Sequence, residues 1–455
     1  MSGYRRLGLT LLLLLTLAGV SQAATRYVTT VACGGTSYSV TNNNCTGSDG
    51  PSHTSIASAL TASGTGDTIR LRAVGSPYNT PTGGLAPKAS QTWEGCRAAN
   101  CGTNETVQIN SNGQQHIINV PDASSGVTIR YLTLVGGTQA AIRADLADNL
   151  TLDTLDISGW GTSCTDILNG WPHAIQLASG GSGANQMTGI VVQNNTIHDG
   201  ASCPGLEWAG IGIGGESGGG LIKNNTVLGP NISDGIWLDV RAGAPHLGYT
   251  RHTVDGNTVA NTPRICFHIE DESSWILQRN IGYGCNEGIR VRPAYPQMQG
   301  HRVYNNTISA GQVGIWLSDD EQPSGPQTFT DSEFKNNIVL ASGGRALLVS
   351  SPYQSDTTNF YLNNLFRNTG GTPDICWGGS GTDFNASNCN SPGTSYTNAQ
   401  IANWNAVSAQ VDLNISTAPV FVNAAGGDFR LCVAAGNPSG CASGQPAGII
   451  DGGVN

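Results

Sequence analysis

The sequence predicts an all-β fold in which short repeated units stack along one axis. Only 11% of the 455 residues are charged, whereas glycine occurs 62 times, a composition that favours strands and tight turns over helices. Two short motifs also recur along the chain, the second of them at intervals of 22 to 36 residues. A fixed minimum spacing with a variable excess indicates one repeated unit that carries loops of different length.

The first motif is a polar pair, usually with asparagine, followed by threonine or an aliphatic residue. It occurs at Asn194–Ile197, Asn224–Val227, Gly256–Val259, Arg279–Ile281, Asn305–Ile308, Asn336–Ile338 and Asn363–Leu365. An asparagine amide both donates and accepts, so stacked copies can bond along the stack, and we expect an asparagine ladder at one corner. Some copies match glycosylation sequons, but their fixed place in the repeat favours the ladder.

The second motif reads small, apolar, any residue, apolar. Its copies are Ala174–Leu177, Gly210–Ile213, Gly235–Leu238, Cys266–Ile269, Gly288–Val291, Gly314–Leu317 and Ala346–Val349. The repeat is too short for a strand-helix-strand crossover and has no helical periodicity, so it must consist of short strands joined by bends. Such units bury their apolar faces only by stacking, which produces parallel sheets around a continuous interior.

This pattern resembles the right-handed parallel β-helix proteins of the pectate-lyase-like superfamily, of the secreted bacterial type. Thr25–Val28, Ile56–Leu60 and Gly66–Leu71 resemble the entry segment of such proteins, which caps the stack with a helix, while Pro419–Val422, Asp428–Leu431 and Ile449–Gly453 resemble their closing segment. The resemblance implies one right-handed parallel β-helix with an N-terminal cap and disulfide-stapled loops. It matches no specific catalytic family, and the same fold carries lyases, hydrolases, epimerases and adhesins.

The N-terminus predicts export. Arg5 and Arg6 precede the apolar run Leu7–Val20, and Ser21–Ala23 gives a small-x-small cleavage site, so residues 1–23 are expected to be a secretory signal peptide for the general secretion route. The protein is then secreted or periplasmic, with no membrane span. We expect residues 24–105 to form the cap and first coils, 106–373 the repeats, and 374–455 a wrapping or capping segment of a monomer.

Twelve cysteines in an exported chain predict disulfides rather than a zinc site, since no Cys-x-x-Cys or histidine cluster accompanies them. Near neighbours in sequence suggest the pairs Cys33 with Cys45, Cys96 with Cys101, Cys164 with Cys203, Cys266 with Cys285, Cys376 with Cys389, and Cys432 with Cys441. The formal net charge of -10 argues against a nucleic-acid partner.

Side chains alternate along a strand, so the variable position of the second motif and the position two later should face solvent. The first outward column is then Arg143, Gln176, Gly212, Trp237, His268, Arg290, Trp316 and Leu348. The second is Asp145, Ala178, Gly214, Asp239, Glu270, Arg292, Ser318 and Ser350. Three consecutive coils therefore gather charge in a chain that has little of it, which indicates a site for a charged or polyhydroxylated ligand.

The predicted catalytic residues are Asp239, His268, Glu270, Arg290 and Arg292. In β-elimination from a uronic-acid polymer, the arginines would neutralise the substrate carboxylate and His268 or a loop tyrosine would remove the ring proton. Asp239 and Glu270 would orient the arginines or, with Asp271, hold Ca²⁺ as a cofactor. Substrate binding is assigned to Trp237 and Trp316, on which sugar rings would stack, and to Arg241 and Tyr295 in the following loops.

Three alternatives stay open at this point. Asp239 and Glu270 on neighbouring coils would also suit a glycoside hydrolase with paired carboxylates. A non-catalytic glycan-binding or adhesive β-helix would keep the aromatic residues without needing His268. Finally, the charges could form a plain ionic ladder in which Glu270 offsets Arg292 and Asp239 offsets Arg290. Two arginines in one site favour the polysaccharide lyase.

Overall fold

The structure is a stack of coils whose parallel strands surround one apolar interior. The computed structural model describes residues 23–33, 38–102, 104–122, 124–163, 172–178, 187–201, 208–214, 217–239, 252–270, 275–292, 297–318, 328–354, 356–370, 373–379, 389, 393–406, 411–412, 414–416, 419–423 and 428–431. Two large sheets contain 14 and 20 strands. A single cluster of buried apolar side chains extends from Val28 to Val411. The predicted parallel β-helix is thus confirmed.

The 14-stranded sheet forms one side of the stack, here called face A. Its strands are Thr25–Val28, Ser52–His53, Thr68–Leu71, Thr92–Gly95, Thr128–Arg130, Thr151–Asp153, Met187–Gln193, Ser217–Lys223, Thr253–Asp255, Ile276–Gln278, Arg302–Tyr304, Glu333–Lys335, Phe360–Leu362 and Val411–Asp412.

The 20-stranded sheet covers the other two sides of each coil, here called face B and face C. Face B contains Tyr78–Asn79, Gln108–Asn110, Thr133–Val135, Asp156–Ser158, Thr196–Ile197, Thr226–Leu228, Thr258–Ala260, Ile338–Ala341 and Leu365–Asn368. Face C contains His116–Val120, Ala140–Asp145, Ile175–Ala178, Ala209–Gly214, Asp234–Asp239, Ile265–Glu270, Arg345–Ser350, Ile375–Gly379 and, antiparallel at the end, Thr394–Tyr396. Two long strands, Ile281–Arg292 and Thr307–Leu317, run from face B into face C.

Short helices and small sheets complete the described residues. The helix Ile56–Ala62 lies at the N-terminal end, where the Oγ atom of Ser55 accepts a hydrogen bond from the amide of Ser58 at 3.1 Å. The remaining elements are the helices Ala98–Cys101 and Ile401–Asn405, the 3₁₀ turns Ser351–Tyr353 and Asn398–Gln400, the parallel pair Gln297–Gln299 with Thr328–Thr330, and the antiparallel pair Phe421–Asn423 with Asp428–Leu431. None of the helices in the described ranges has the length and apolarity to cross a membrane.

The predicted asparagine ladder is present at the corner between faces A and B. The side-chain nitrogen of each member donates to the side-chain oxygen of the next, at 2.9 to 3.0 Å, through Asn195, Asn225, Asn257, Asn280, Asn306, Asn337, Asn364 and Asn414. The same oxygens also accept a backbone amide, as Asn257 does from Asn225 at 2.9 Å. The buried amides of the ladder are thereby satisfied within the protein.

The small residue of the second motif lies at the corner between faces B and C and reverses the side-chain alternation there. A Cβ atom added to Gly235 would lie 2.2 Å from Cγ1 of Val259, inside the coil, and Gly288 and Gly314 are equally close to interior side chains. Since Ile236 is also inside, two successive positions point inward. The residue before the glycine, such as Asp234, consequently points outward onto face C.

Four of the six expected disulfides are present: Cys33–Cys45, Cys96–Cys101, Cys266–Cys285 and Cys376–Cys389. The other four cysteines, Cys164, Cys203, Cys432 and Cys441, lie outside the described residues, as does the expected signal peptide up to residue 22. Within the expected segment 374–455, Ile375–Gly379 and Val411–Asp412 still pair with the stack, and Asn414 extends the ladder.

Candidate active site on face C

The strand pairing on face C places the residues of the predicted first column opposite one another. Cα pairing places Trp237 opposite His268, His268 opposite Arg290, and Arg290 opposite Trp316. The second column is reproduced from Asp145 to Arg292, with Asp239 opposite Glu270 and Glu270 opposite Arg292. The predicted charged residues therefore lie together on three neighbouring strands.

The expectation that the first column faces solvent is wrong for Trp237, His268, Arg290 and Trp316, which are buried. His268 has no exposed surface, Trp237 and Trp316 are 3% and 1% exposed, and both arginines are 6% exposed. The rings of Trp237 and His268 stack with centroids 5.4 Å apart and an interplanar angle of 7°. Strand spacing near 4.8 Å brings planar groups in one column to such distances.

The two tryptophans consequently do not present open platforms for sugar rings. One face of Trp237 is occupied by His268, and the guanidinium carbon of Arg290 lies 4.3 Å from the centre of the Trp316 ring. Trp316 also belongs to a small apolar cluster with Val313, Leu348 and Cys376. The structure gives both rings a packing role in place of the predicted stacking on substrate.

Asp234 binds the imidazole of His268. Oδ2 of Asp234 lies 2.9 Å from Nδ1 of His268, and neither side chain is exposed. Because an ionised carboxylate only accepts, the proton belongs on Nδ1. Among the residues that the structure describes, Nε2 of His268 has no hydrogen-bond partner, and it lies 3.9 Å from Oε2 of Glu270. This arrangement leaves the Nε2 lone pair available to take a proton.

Glu270 joins the histidine to the arginines. Its Oε1 lies 2.6 Å from Nη2 of Arg292, and its Oε2 accepts a hydrogen bond from the indole nitrogen of Trp237 at 3.0 Å. On the next coil, Nη1 of Arg290 lies 3.5 Å from Oε2 of Glu287. The expected offset of Arg292 by Glu270 is present, and Arg290 pairs with Glu287.

His173 fills the position in the first column that Gly212 leaves open. A Cβ atom on Gly212 would lie 2.3 Å from Cδ2 of His173. The ring meets Trp237 edge-on at 5.5 Å, and its Nδ1 accepts the amide of Ala209 at 2.9 Å. Burial lowers the pKa of His173 to about 4, against an opposing effect of Asp234. His173 is therefore neutral at pH 7, with its proton on Nε2.

Sequence reasoning missed Asp234, Glu287 and His173 as members of this site. Each directly precedes the small residue of the second motif, where simple alternation assigns an inward side chain. Asp234 also lies 3.6 Å from the guanidinium of Arg264. The signal available in the sequence was the row of residues before the motif, in which His173, Asp234, Glu287 and Arg345 are ionisable.

Several predicted site residues fall elsewhere. Arg241, Asp271 and Tyr295 lie outside the described residues. Asp239 is the partly exposed member of the cluster, next to Glu270 in register. The described residues contain no group of three or more His, Cys, Asp or Glu side chains arranged to hold a metal ion. Both oxygens of Glu270 already bind Arg292 and Trp237, so Glu270 does not fit as a Ca²⁺ ligand in this arrangement.

No protein-family model matches the chain, and no curated protein matches it in sequence. Among solved structures, it is similar to the A-modules of the mannuronan C-5 epimerases AlgE6 and AlgE4 of Azotobacter vinelandii. The first has a TM-score of 0.44 at 15% identity over 70% of this chain and 89% of that one. The second has 0.40 at 16% identity over 70% and 88%.

An alginate lyase from Paenibacillus sp. str. FPU-7 is similar with a TM-score of 0.30 at 12% identity, over 67% of this chain and 91% of that one. At such identities and TM-scores these similarities assign no activity. The chemistry of the chain has to come from its own side chains.

Proposed function

We propose that the protein is a polysaccharide lyase that cleaves a uronic-acid-containing polymer by β-elimination on face C. The observation that carries the proposal is the buried Asp234–His268 pair, which leaves Nε2 of His268 without a partner while Arg290 and Arg292 occupy the next strand. A proton acceptor beside two cations is the combination that β-elimination from a uronate requires.

In the proposed reaction the substrate carboxylate binds the arginines, which makes the proton on the adjacent ring carbon more acidic. Nε2 of His268 takes that proton, a carbon–carbon double bond forms, and the neighbouring carbon–oxygen bond to the leaving sugar breaks. The leaving oxygen takes a proton from solvent. Asp234 holds the imidazole in the tautomer that accepts at Nε2, and Glu270 fixes the guanidinium of Arg292.

The burial of the cluster adds one requirement. His268 and both arginines are buried in the structure, so the polymer reaches them only when the side chains around them move. The low dielectric of a buried site strengthens the attraction between the arginines and a carboxylate once the substrate is bound.

Hydrolysis with Asp239 and Glu270 as paired carboxylates has weaker support. A general acid needs an oxygen that can carry a proton to the leaving group. Both oxygens of Glu270 already accept, from Arg292 and from Trp237, so neither is directed toward a glycosidic bond.

The proposal includes export to the periplasm or the exterior, where the general secretion route would deliver the chain as a monomer after removal of residues 1–23. Four disulfides in the described residues suit an oxidising compartment. The division into a cap (24–105), repeats (106–373) and a closing segment (374–455) stays part of the proposal.

The test is to incubate the purified protein with pectate, alginate, hyaluronan and neutral xylan while recording absorbance of the unsaturated uronate and new reducing ends. Elimination raises both, and hydrolysis raises only the reducing ends. We expect His268→Gln and Arg292→Gln to reduce elimination by about a hundredfold or more. Arg279→Gln is the matched control, since Arg279 is exposed and pairs with Asp255 away from face C. Full activity in both site variants, or no cleavage of any acidic polymer, would overturn the proposal.

A further inference from the structure

A groove lies on face B, away from the cluster on face C. It has a volume of about 400 Å³ and runs along face B near the N-terminal end. Its walls include Arg97 and residues 105–107, Tyr131 and Asn194 at the corner between faces A and B, and Asp156 and His198 on or directly after face B strands. None of these residues belongs to the proposed lyase site on face C.

Tyr131 adopts a backbone conformation that does not suit its side chain. Its φ is 60°, at the turn where later coils place Asn194, Asn224, Gly256 or Asn305. Asparagine and glycine accept this left-handed region readily, whereas a bulky aromatic residue does so at a cost in free energy. Thr154 and Arg279 also take this conformation at the same turn, so what distinguishes Tyr131 is the contacts of its ring.

The ring of Tyr131 holds two guanidinium groups in place. The guanidinium carbon of Arg97 lies 4.8 Å from the ring centre, and that of Arg130 lies 5.3 Å from it. These distances are typical of cation–π contacts. Both guanidinium groups are therefore held beside the ring of Tyr131.

Four arginines lie at or behind this end of the groove against two carboxylates, Glu94 and the groove-lining Glu105, which pairs with Arg72. Arg130 and Arg70 share the single carboxylate of Glu94, with nitrogen–oxygen distances of 2.7 Å. In the part of the chain that the structure describes, Arg97 has no carboxylate partner, and its Nε atom is buried without a hydrogen bond. A guanidinium that lies beside an aromatic ring and has no carboxylate partner is suited to a carboxylate ligand.

The other end of the groove is negative. His198 lies between two carboxylates, with Nδ1 2.7 Å from Asp199 and Nε2 2.9 Å from Asp156. Burial alone would lower the pKa of His198, but its hydrogen bonds with Asp199 and Asp156 raise it. Two carboxylates stand against one histidine, so this end of the groove has a net negative charge. Asn194 also lines it, with its side-chain nitrogen donating to Asp153 at 2.9 Å.

We propose that this groove binds an acidic sugar unit, with the sugar carboxylate on Arg97 and its ring hydroxyls donating to Asp156 and Asn194. A uronate carries one carboxylate and several hydroxyls on a ring of about the size the groove accommodates. The site goes beyond the proposed lyase reaction: it anchors an acidic polysaccharide on face B and takes no part in bond cleavage.

The test is calorimetric titration of the mature protein with uronate oligosaccharides, in the His268→Gln background so that no cleavage occurs. Uncharged xylo-oligosaccharides of the same length are the ligand control. We expect Arg97→Gln to weaken uronate binding by about tenfold to a hundredfold, because one charge-assisted contact is lost. Tyr131→Asn should weaken it similarly while keeping the fold, because asparagine is the residue that other coils use at this turn.

Arg279→Gln is the matched protein control, since Arg279 has the same turn position in a later coil and should leave binding unchanged. Unchanged affinity in Arg97→Gln and Tyr131→Asn would overturn the proposal, and so would equal affinity for the uncharged sugars or no binding at all. The proposed lyase reaction is tested separately by the absorbance assay. In that assay, neither Arg97→Gln nor Tyr131→Asn should change the rate of elimination on a short oligosaccharide.

Discussion

Nδ1 of His268 lies 2.9 Å from Oδ2 of Asp234, and both side chains are fully buried on neighbouring coils of face C. Asp234 directly precedes the small residue of the second motif, and His268 belongs to the first outward column. The pair gives the histidine one defined tautomer and one open nitrogen, which is the basis of the proposed reaction.

Asp234→Asn should reduce kcat for elimination by about tenfold to a hundredfold with little change in KM, because Asp234 acts through His268 and does not touch substrate. The pH dependence of the rate should also shift, since the imidazole loses its carboxylate partner. Steady-state kinetics on the polymer that is cleaved, measured across pH, checks both effects. Asp255→Asn, another buried carboxylate, should leave the kinetics unchanged, and a native pH profile in Asp234→Asn would refute the positioning role.

Gly212→Ala should destabilise the protein by about 1 to 3 kcal/mol, because the new methyl group would meet the ring of His173 at 2.3 Å. Gly214→Ala is the matched control on the same strand, where the nearest atom is the carbonyl oxygen of Asp239 at 3.4 Å. Thermal unfolding measures both. If the clash is with His173, adding His173→Ser to Gly212→Ala should recover part of the loss; no recovery would show that the backbone is the obstacle.

His173→Gln should make the protein less sensitive to acid. The pKa of His173 is near 4 in the folded chain and near 6.5 when unfolded, so below pH 6.5 the unfolded chain binds a proton that the folded one does not. The free energy of unfolding therefore decreases as the pH is lowered, and at pH 4.5 His173 accounts for a loss of about 2 to 3 kcal/mol. The His173→Gln variant should lack this loss. Urea unfolding at pH 7 and pH 4.5 gives the difference.

His198→Gln should change the pH dependence of stability in the opposite direction to His173→Gln. The pKa of His198 is raised in the folded protein, so its contribution is fully present below pH 6.5 and is lost as pH rises through the folded pKa. This variant should be less stable than the native protein in acid and equal to it at high pH. An equal acid response of the two histidine variants would contradict the assignments.

Asn257→Ala should lower the stability of the stack by on the order of 3 kcal/mol. Its oxygen accepts two bonds from Asn225, and its nitrogen donates to Ile222 and Asn280, so the change leaves several buried groups without partners. The midpoint of chemical unfolding measures the loss. Asn224→Gly is the control, because Asn224 is exposed and glycine accepts its positive φ; a shift as large as that of Asn257→Ala would mean that the ladder bonds are not responsible.

The sequence by itself determined the repeat, the asparagine ladder, the strand register and the first column from Arg143 to Leu348. These depend on local alternation and on spacing along the chain, which are visible in one dimension. Four of the expected disulfides follow from the same nearness in sequence, since each closes a short loop.

Only the tertiary structure decided that Asp234 and His173 join the cluster and that Trp237 and Trp316 are covered. At the bend, the two successive positions 235 and 236 both point inward, which strict alternation does not predict. Asp234 therefore points outward and meets His268 of the next coil. Burial likewise depends on groups from neighbouring coils stacking at strand spacing. Tyr131 and Arg97 meet for the same reason, as segments distant in sequence become adjacent when the coils stack.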